Sequence, residues 1–116
     1  MILLLMIFLH IVDDYYLQGI LAQMKQKKFW EENAPEEIYK YDYIWALLMH
    51  AFSWTFMIML PVYFSVAVMP AFYIFFAGNL IIHAYVDHLK ANKHKICLWT
   101  DQLIHLAQIL VTFIIL

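Results

Sequence analysis

Four apolar runs, roughly Ile2 to Met24, Tyr39 to Leu60, Pro70 to Leu89 and Ile96 to Leu116, make up most of this 116-residue chain. Each is near the ~20 residues that carry a helix across ~30 Å of hydrocarbon. A chain patterned this way has few folds open to it, because its backbone polar groups must be satisfied within each segment and its outward side chains must suit lipid. Composition agrees: 66% of residues are hydrophobic and 14% charged, where a soluble domain carries about a quarter charged. The pattern predicts an all-α fold, a four-transmembrane-helix bundle forming one integral membrane domain over residues 1–116. Met1 to Val12 lacks a basic leading region and a small-residue cleavage site, so it reads as the start of helix one and not as a signal peptide. Pro61 and Pro70 mark a short connection between helices two and three, and Pro70 suits a first helical turn.

The lysines orient the bundle. There is no Arg, and all seven Lys lie in or beside two polar segments, the loop at residues 25–38 with its flank to Asp42, and Lys90 to Lys95. In an up-and-down bundle these two loops share one face. Positive charge stays inside, so the loops are expected in the cytoplasm and both termini on the non-cytoplasmic side of the inner membrane. The first loop reads as solvated, with a short interfacial helix anchored by Phe29 and Trp30. A net charge of −2 without Arg excludes nucleic acid as a partner, and the single Cys97 excludes a disulfide framework. The expected partners are the bilayer and a lipid-like substrate, and self-association into a homo-oligomer stays open.

Polar residues inside the apolar runs are the candidates for chemistry, since ionisable groups at membrane depth are costly. They are Asp13, Asp14, Asp87 and Asp101, with His10, His50, His83 and His105. His10 and Asp14, His83 and Asp87, and Asp101 and His105 are each four apart, so each pair projects from one helix face. Chance predicts about half a pair at that spacing in a chain of this composition. Counting inward from the lysine-bearing loops at ~1.5 Å per residue, all of these pairs and His50 fall in the cytoplasmic half of the membrane. Neutral imidazole with ionised carboxylate is a ligand set for borderline divalent cations, Zn or Mn/Fe. The expected metal ligands are His10, Asp14, His50, His83, Asp87, Asp101 and His105. Asp14, Asp87 and Asp101 are also the expected catalytic carboxylates, as ligands, orienters or general base. The competing structural reading is interhelical hydrogen bonding without a ligand.

Smaller features are read more plainly. Lys90 is expected to snorkel and pair with Asp87, ahead of a role toward a substrate phosphate. His88 and His94 are expected in solvent. Gln18, Asn79 and Gln102 are expected to line the cavity or bond between helices, and Trp45, Trp54 and Trp99 to serve packing and interface belts.

The ordered pieces His10-Ile-Val-Asp13-Asp14-Tyr15-Tyr16-Leu17-Gln18, Leu48-Met49-His50-Ala51, His83-Ala84-Tyr85-Val86-Asp87-His88-Leu89-Lys90 and Asp101-Gln102-Leu103-Ile104-His105 resemble the small bacterial and phage membrane proteins classed as domain of unknown function 3307. The family's helix-one acid falls on Asp14, with Asp13 beside it. Where that family commonly has a second helix-two histidine, one turn after the first, Trp54 stands here. The resemblance implies a bacterial or phage membrane protein and no specific activity. A more distant likeness to small membrane-bound metal-dependent hydrolases favours metal chemistry. The functional expectation is therefore an integral membrane metalloprotein, a metal-dependent hydrolase acting on a lipid-linked or amphiphilic substrate near the cytoplasmic leaflet. The rivals are an ion, proton or small-solute transport protein, and a non-catalytic phage-type regulatory or interaction protein.

Overall fold

The computed structural model describes residues 1–65 and 70–116, and among them every regular element is helical. The helices are α1 (Ile2–Val12), α2 (Leu21–Met24), α3 (Lys27–Asn33), α4 (Asp42–Ser65), α5 (Pro70–Ala91) and α6 (Leu98–Ile115). α1 packs on α4 and α6, and α5 packs on the same two, which closes a ring of four long elements. The result is an elongated body with principal extents of 47 × 27 × 22 Å.

Helix one departs from the continuous run expected to Met24. α1 passes into a π-helical turn over Asp13–Leu17, and the helix then breaks at Gly19, whose φ of +54° lies in the left-handed region that glycine adopts without a Cβ penalty. A π turn rotates successive side chains by less than the ~100° of an α-helix. Asp13 and Asp14, adjacent in sequence, therefore both turn into the bundle. The short α2 and α3 follow, and α3 is the helix expected in the polar loop, with Phe29 and Trp30 half-buried and the Trp30 indole donating to the Met24 carbonyl.

Helix two also differs from expectation. Pro61 does not begin the connection but lies inside α4, buried, four residues before its end. Proline there removes one backbone bond, and the chain tolerates this because the missing donor falls in the last turns, where the Ser65 hydroxyl also bonds the Pro61 carbonyl. The remainder of the expected connection, residues 66–69, lies outside the described residues. α5 does begin on Pro70, as the sequence predicts.

Among the described residues, two elements are long and apolar enough to cross a membrane, Glu37–Ser65 and Leu98–Ile115. α5 is 22 residues long, but its inner face carries Asn79, His83 and Asp87, which lower its apolar character. α1 and its π turn give 11 + 5 = 16 helical residues before the chain breaks.

The interior divides in two. Met6, Trp54, Ile58, Met59, Val62 and Ile109 form a hydrophobic cluster, joined by Phe72, Phe75 and Phe76, with the Asn79 amide donating to Met59 and Thr112 beside it. These residues come from the ends of the helices farthest from the lysine-bearing loops. Toward those loops the interior is polar: His10, Asp13, Lys25, His50, His83, Asp87, Asp101 and His105 are all buried. Large apolar side chains such as Phe8, Phe52, Phe56, Ile74, Ile81, Leu103 and Ile114 face outward instead.

Candidate metal centre

Three imidazoles, His50 from α4, His83 from α5 and His105 from α6, point their Nε2 atoms at the Asp87 carboxylate. His50 Nε2 and His83 Nε2 lie 3.4 and 3.7 Å from Asp87 Oδ2, and His105 Nε2 lies 3.6 Å from Asp87 Oδ1. Asp14 Oδ1 is 3.2 Å from His50 Nε2, and Asp101 Oδ1 is 3.3 Å from His105 Nε2. Despite this proximity, His50, His83 and His105 Nε2 and Asp101 Oδ1 are buried without a hydrogen-bond partner. Orphaned polar atoms in an interior are costly, by about 1–3 kcal/mol each. They face one another across short gaps. Ligand atoms about 2.0–2.2 Å from a tetrahedral cation are separated by about 3.3–3.6 Å, close to these spacings.

Asp14, His50 and His83, and also His83, Asp87 and His105, each bring one ligand atom within 4.8 Å of the others, so the buried His/Asp groups can hold a metal ion. The two groups share His83. Were all the carboxylates ionised and the imidazoles neutral, the charge would suit one divalent cation. Asp13, Asp14, Asp87 and Asp101 supply four negative charges, and Lys25 and Lys90 return two by pairing with Asp87 and Asp101 at 2.7 and 2.9 Å. Four minus two leaves two negative charges, with the imidazoles neutral.

Two hydrogen-bond chains set which atoms face inward. In the first, the Trp54 indole N–H donates to His10 Nδ1, which must therefore be the bare nitrogen, so His10 Nε2–H donates to Gln102 Oε1. The Gln102 amide then donates to Asp14 Oδ2 and Asp101 Oδ2, satisfying those oxygens and leaving Asp14 Oδ1 and Asp101 Oδ1 directed at the imidazoles. In the second, the Thr112 hydroxyl donates to the Gln108 carbonyl, so its oxygen accepts from Asn79 Nδ2. Asn79 Oδ1 in turn accepts from Gln108 Nε2, and Gln108 Oε1 accepts from His105 Nδ1–H. The lone pair of neutral His105 is thereby placed on Nε2, facing Asp87 and Asp101. Partners of this kind, which fix the tautomer of a ligating histidine, accompany metal sites generally.

Every expected site residue is in or against this cluster. His10 is the exception among the proposed ligands: both its ring nitrogens are engaged by Trp54 and Gln102, so it orients carboxylates. Trp54, expected in packing or an interface belt, is fully buried against His83, with ring centroids 4.2 Å apart, and starts the first chain. Lys90 pairs with Asp101 across the bundle and not with Asp87 in its own helix. Asp87 takes Lys25 instead, a loop lysine expected in solvent that is 5% exposed here. Asp13 accepts from Ser53, and its other oxygen lies 3.6 Å from His50 Nδ1 without a hydrogen bond between them. Gln102 and Asn79 do bond between helices, whereas Gln18 donates only to the Asp14 carbonyl. His94 is exposed, while His88 is half-buried and stacked on Tyr43. Gln108 and Thr112 were not singled out in the sequence, although Asp101, His105, Gln108 and Thr112 follow the four-three-four spacing of one helix face.

Comparison with protein-family models, with curated proteins and with solved structures finds no match to this chain. The likeness to the family named above therefore rests on the residue pattern alone.

Proposed function

We propose that this chain is an integral membrane metalloprotein, and that it hydrolyses a lipid-linked or amphiphilic phosphate or ester at the cytoplasmic leaflet. The observation that carries the reading is the convergence of orphaned, buried His and Asp atoms at ligand spacing. The membrane assignment is supported by inverted polarity, with ionisable groups inside and Phe, Ile and Leu outside on all four long elements. In lipid the outward apolar faces gain nothing by turning in, so interhelical packing and polar bonds hold such a bundle together. On this reading α1 with its π turn, α4, α5 and α6 each cross the membrane, and the lysine-bearing loops lie in the cytoplasm.

A divalent cation, Zn or Mn/Fe by the donor set, supplies Lewis acidity and an acidified water for hydrolysis. The chain's own residues would do the rest. Asp14, His50 and His83, or His83, Asp87 and His105, would hold the cation, with the rest of the cluster beside it. Asp101, fixed by Gln102 and Lys90, keeps one free carboxylate oxygen that can accept a proton. Two openings lie beside the cluster. A cleft of about 320 Å³ reaches Lys25 and Lys90 from the loop face, and a groove of about 440 Å³ between α1 and α6, walled by Ile7, Ile11, Leu98 and Leu106, reaches His10 and Gln102 from the side.

The test is metal content. Protein purified in mild detergent without chelators should carry about one equivalent of a divalent metal. Asp87→Asn should lose at least about 10-fold in affinity, and His94→Gln should lose none. A folded protein that neither carries nor takes up metal would leave the cluster as interhelical hydrogen bonding alone.

A further inference from the structure

The cleft at the loop face contains more hydrogen-bonding capacity than the protein uses. Lys25 and Lys90 line it together with Gln18, Gln26 and His94. Each ammonium has three N–H donors and gives one to a carboxylate, Lys25 to Asp87 and Lys90 to Asp101. Four donors remain between them. Four cationic donors on two ammoniums describe a doubly charged tetrahedral oxyanion, whose oxygens accept.

We propose that this cleft binds the phosphate group of a phosphomonoester, placing it on the loop-facing side of the metal centre. The proposal rests on the metal reading, because a bound cation is what offsets the charge an anion adds beside Asp87 and Asp101. A phosphomonoester dianion brings two charges to the two ammoniums where a phosphodiester brings one, so the cleft distinguishes the two classes. The same chemistry is offered by free phosphate and by a lipid monoester such as phosphatidic acid. Lys25 Nζ is 2.7 Å from Asp87 Oδ2, which is itself within 3.7 Å of two imidazole nitrogens, so an anion on that ammonium lies next to the reacting position.

The experiment uses the full chain in phosphatidylcholine nanodiscs, metal-loaded, with metal content measured on each sample and inorganic phosphate titrated by calorimetry. Phosphate should bind the metal-loaded protein and not the chelated one. Lys90→Gln should weaken binding at least about 10-fold, Lys90→Arg should restore it, and the exposed Lys93→Gln should leave it unchanged. Replacing about a tenth of the lipid by phosphatidic acid should suppress the titration if the lipid monoester is the ligand, and should leave it intact if free phosphate is. Either result supports the monoester chemistry. Equal suppression by phosphatidylglycerol, a diester, overturns it, and this arm needs no variant that might fail to fold. A metal-loaded protein that binds no phosphate, or a Lys90→Gln protein with unchanged affinity, overturns this inference alone. A preparation that takes up no metal overturns the metal reading and this inference with it.

Discussion

Replacing Gln108 separates a ligand-orienting chain from a merely structural one, because the amide has a different job at each end. Its Oε1 accepts from His105 Nδ1 at 3.0 Å, and its Nε2 donates to Asn79 Oδ1 at 3.1 Å and to the Asn79 carbonyl at 3.2 Å. Gln108→Met keeps the length and flexibility of the side chain and removes both functions. His105 Nδ1 and Asn79 Oδ1 then lose partners in an 8% exposed site, a stability cost of about 1–3 kcal/mol, at the lower end if a bilayer setting lets them find others. His105 also loses the bond that places its lone pair on Nε2. Loss of such a partner lowers metal affinity by about 10–100-fold, or roughly 1.4–2.7 kcal/mol. Gln108→Glu acts differently. It too loses the donor to Asn79, but its carboxylate accepts more strongly from His105 Nδ1 and raises the basicity of Nε2, so metal affinity should hold or increase. A purely structural role predicts the reverse, since a buried carboxylate without a cation nearby is the worse replacement. Competition against a chromophoric chelator in detergent, with thermal unfolding on the same samples, gives both quantities. The reasoning is refuted if the Met variant holds metal as tightly as the parent, or if Glu weakens binding as much as Met does.

Two further outcomes follow from the same geometry. Chelation should lower the unfolding temperature by roughly 10 °C when the metal was present at about 100 times its Kd, since that saturation contributes about 2.7 kcal/mol to the native state; an unchanged transition would mean that the cation, if bound, does not hold the fold. Reporter fusions after Ala34 and after Lys93 should both report the cytoplasm and C-terminal fusions the exterior, and opposite locations for the two loops would exclude four crossings.

Helices, and the faces they present, were legible in the sequence because both depend on local periodicity. Positions four apart lie on one side of an α-helix whatever surrounds it, so His10 with Asp14, His83 with Asp87 and Asp101 with His105 meet at 3.3–3.7 Å as their spacing requires. The same periodicity held an unread signal in His50 with Trp54, and in Gln108 and Thr112 beyond His105. The break in helix one at Gly19 and the passage of α4 through Pro61 were not legible, because a glycine or proline permits a break without deciding where it falls. Tertiary structure alone decided the partners across helices. Spacing fixes the rotation of a side chain about its own axis, but not which helix stands opposite or how far a lysine reaches. Lys25 therefore crosses from its loop to Asp87, Lys90 passes over Asp87 to Asp101, and His10 becomes an orienting group once Trp54 and Gln102 occupy both its nitrogens. That the polar faces converge on one interior, with atoms left unpaired at the spacing of a cation's ligands, is a property of the assembled bundle and of no segment within it.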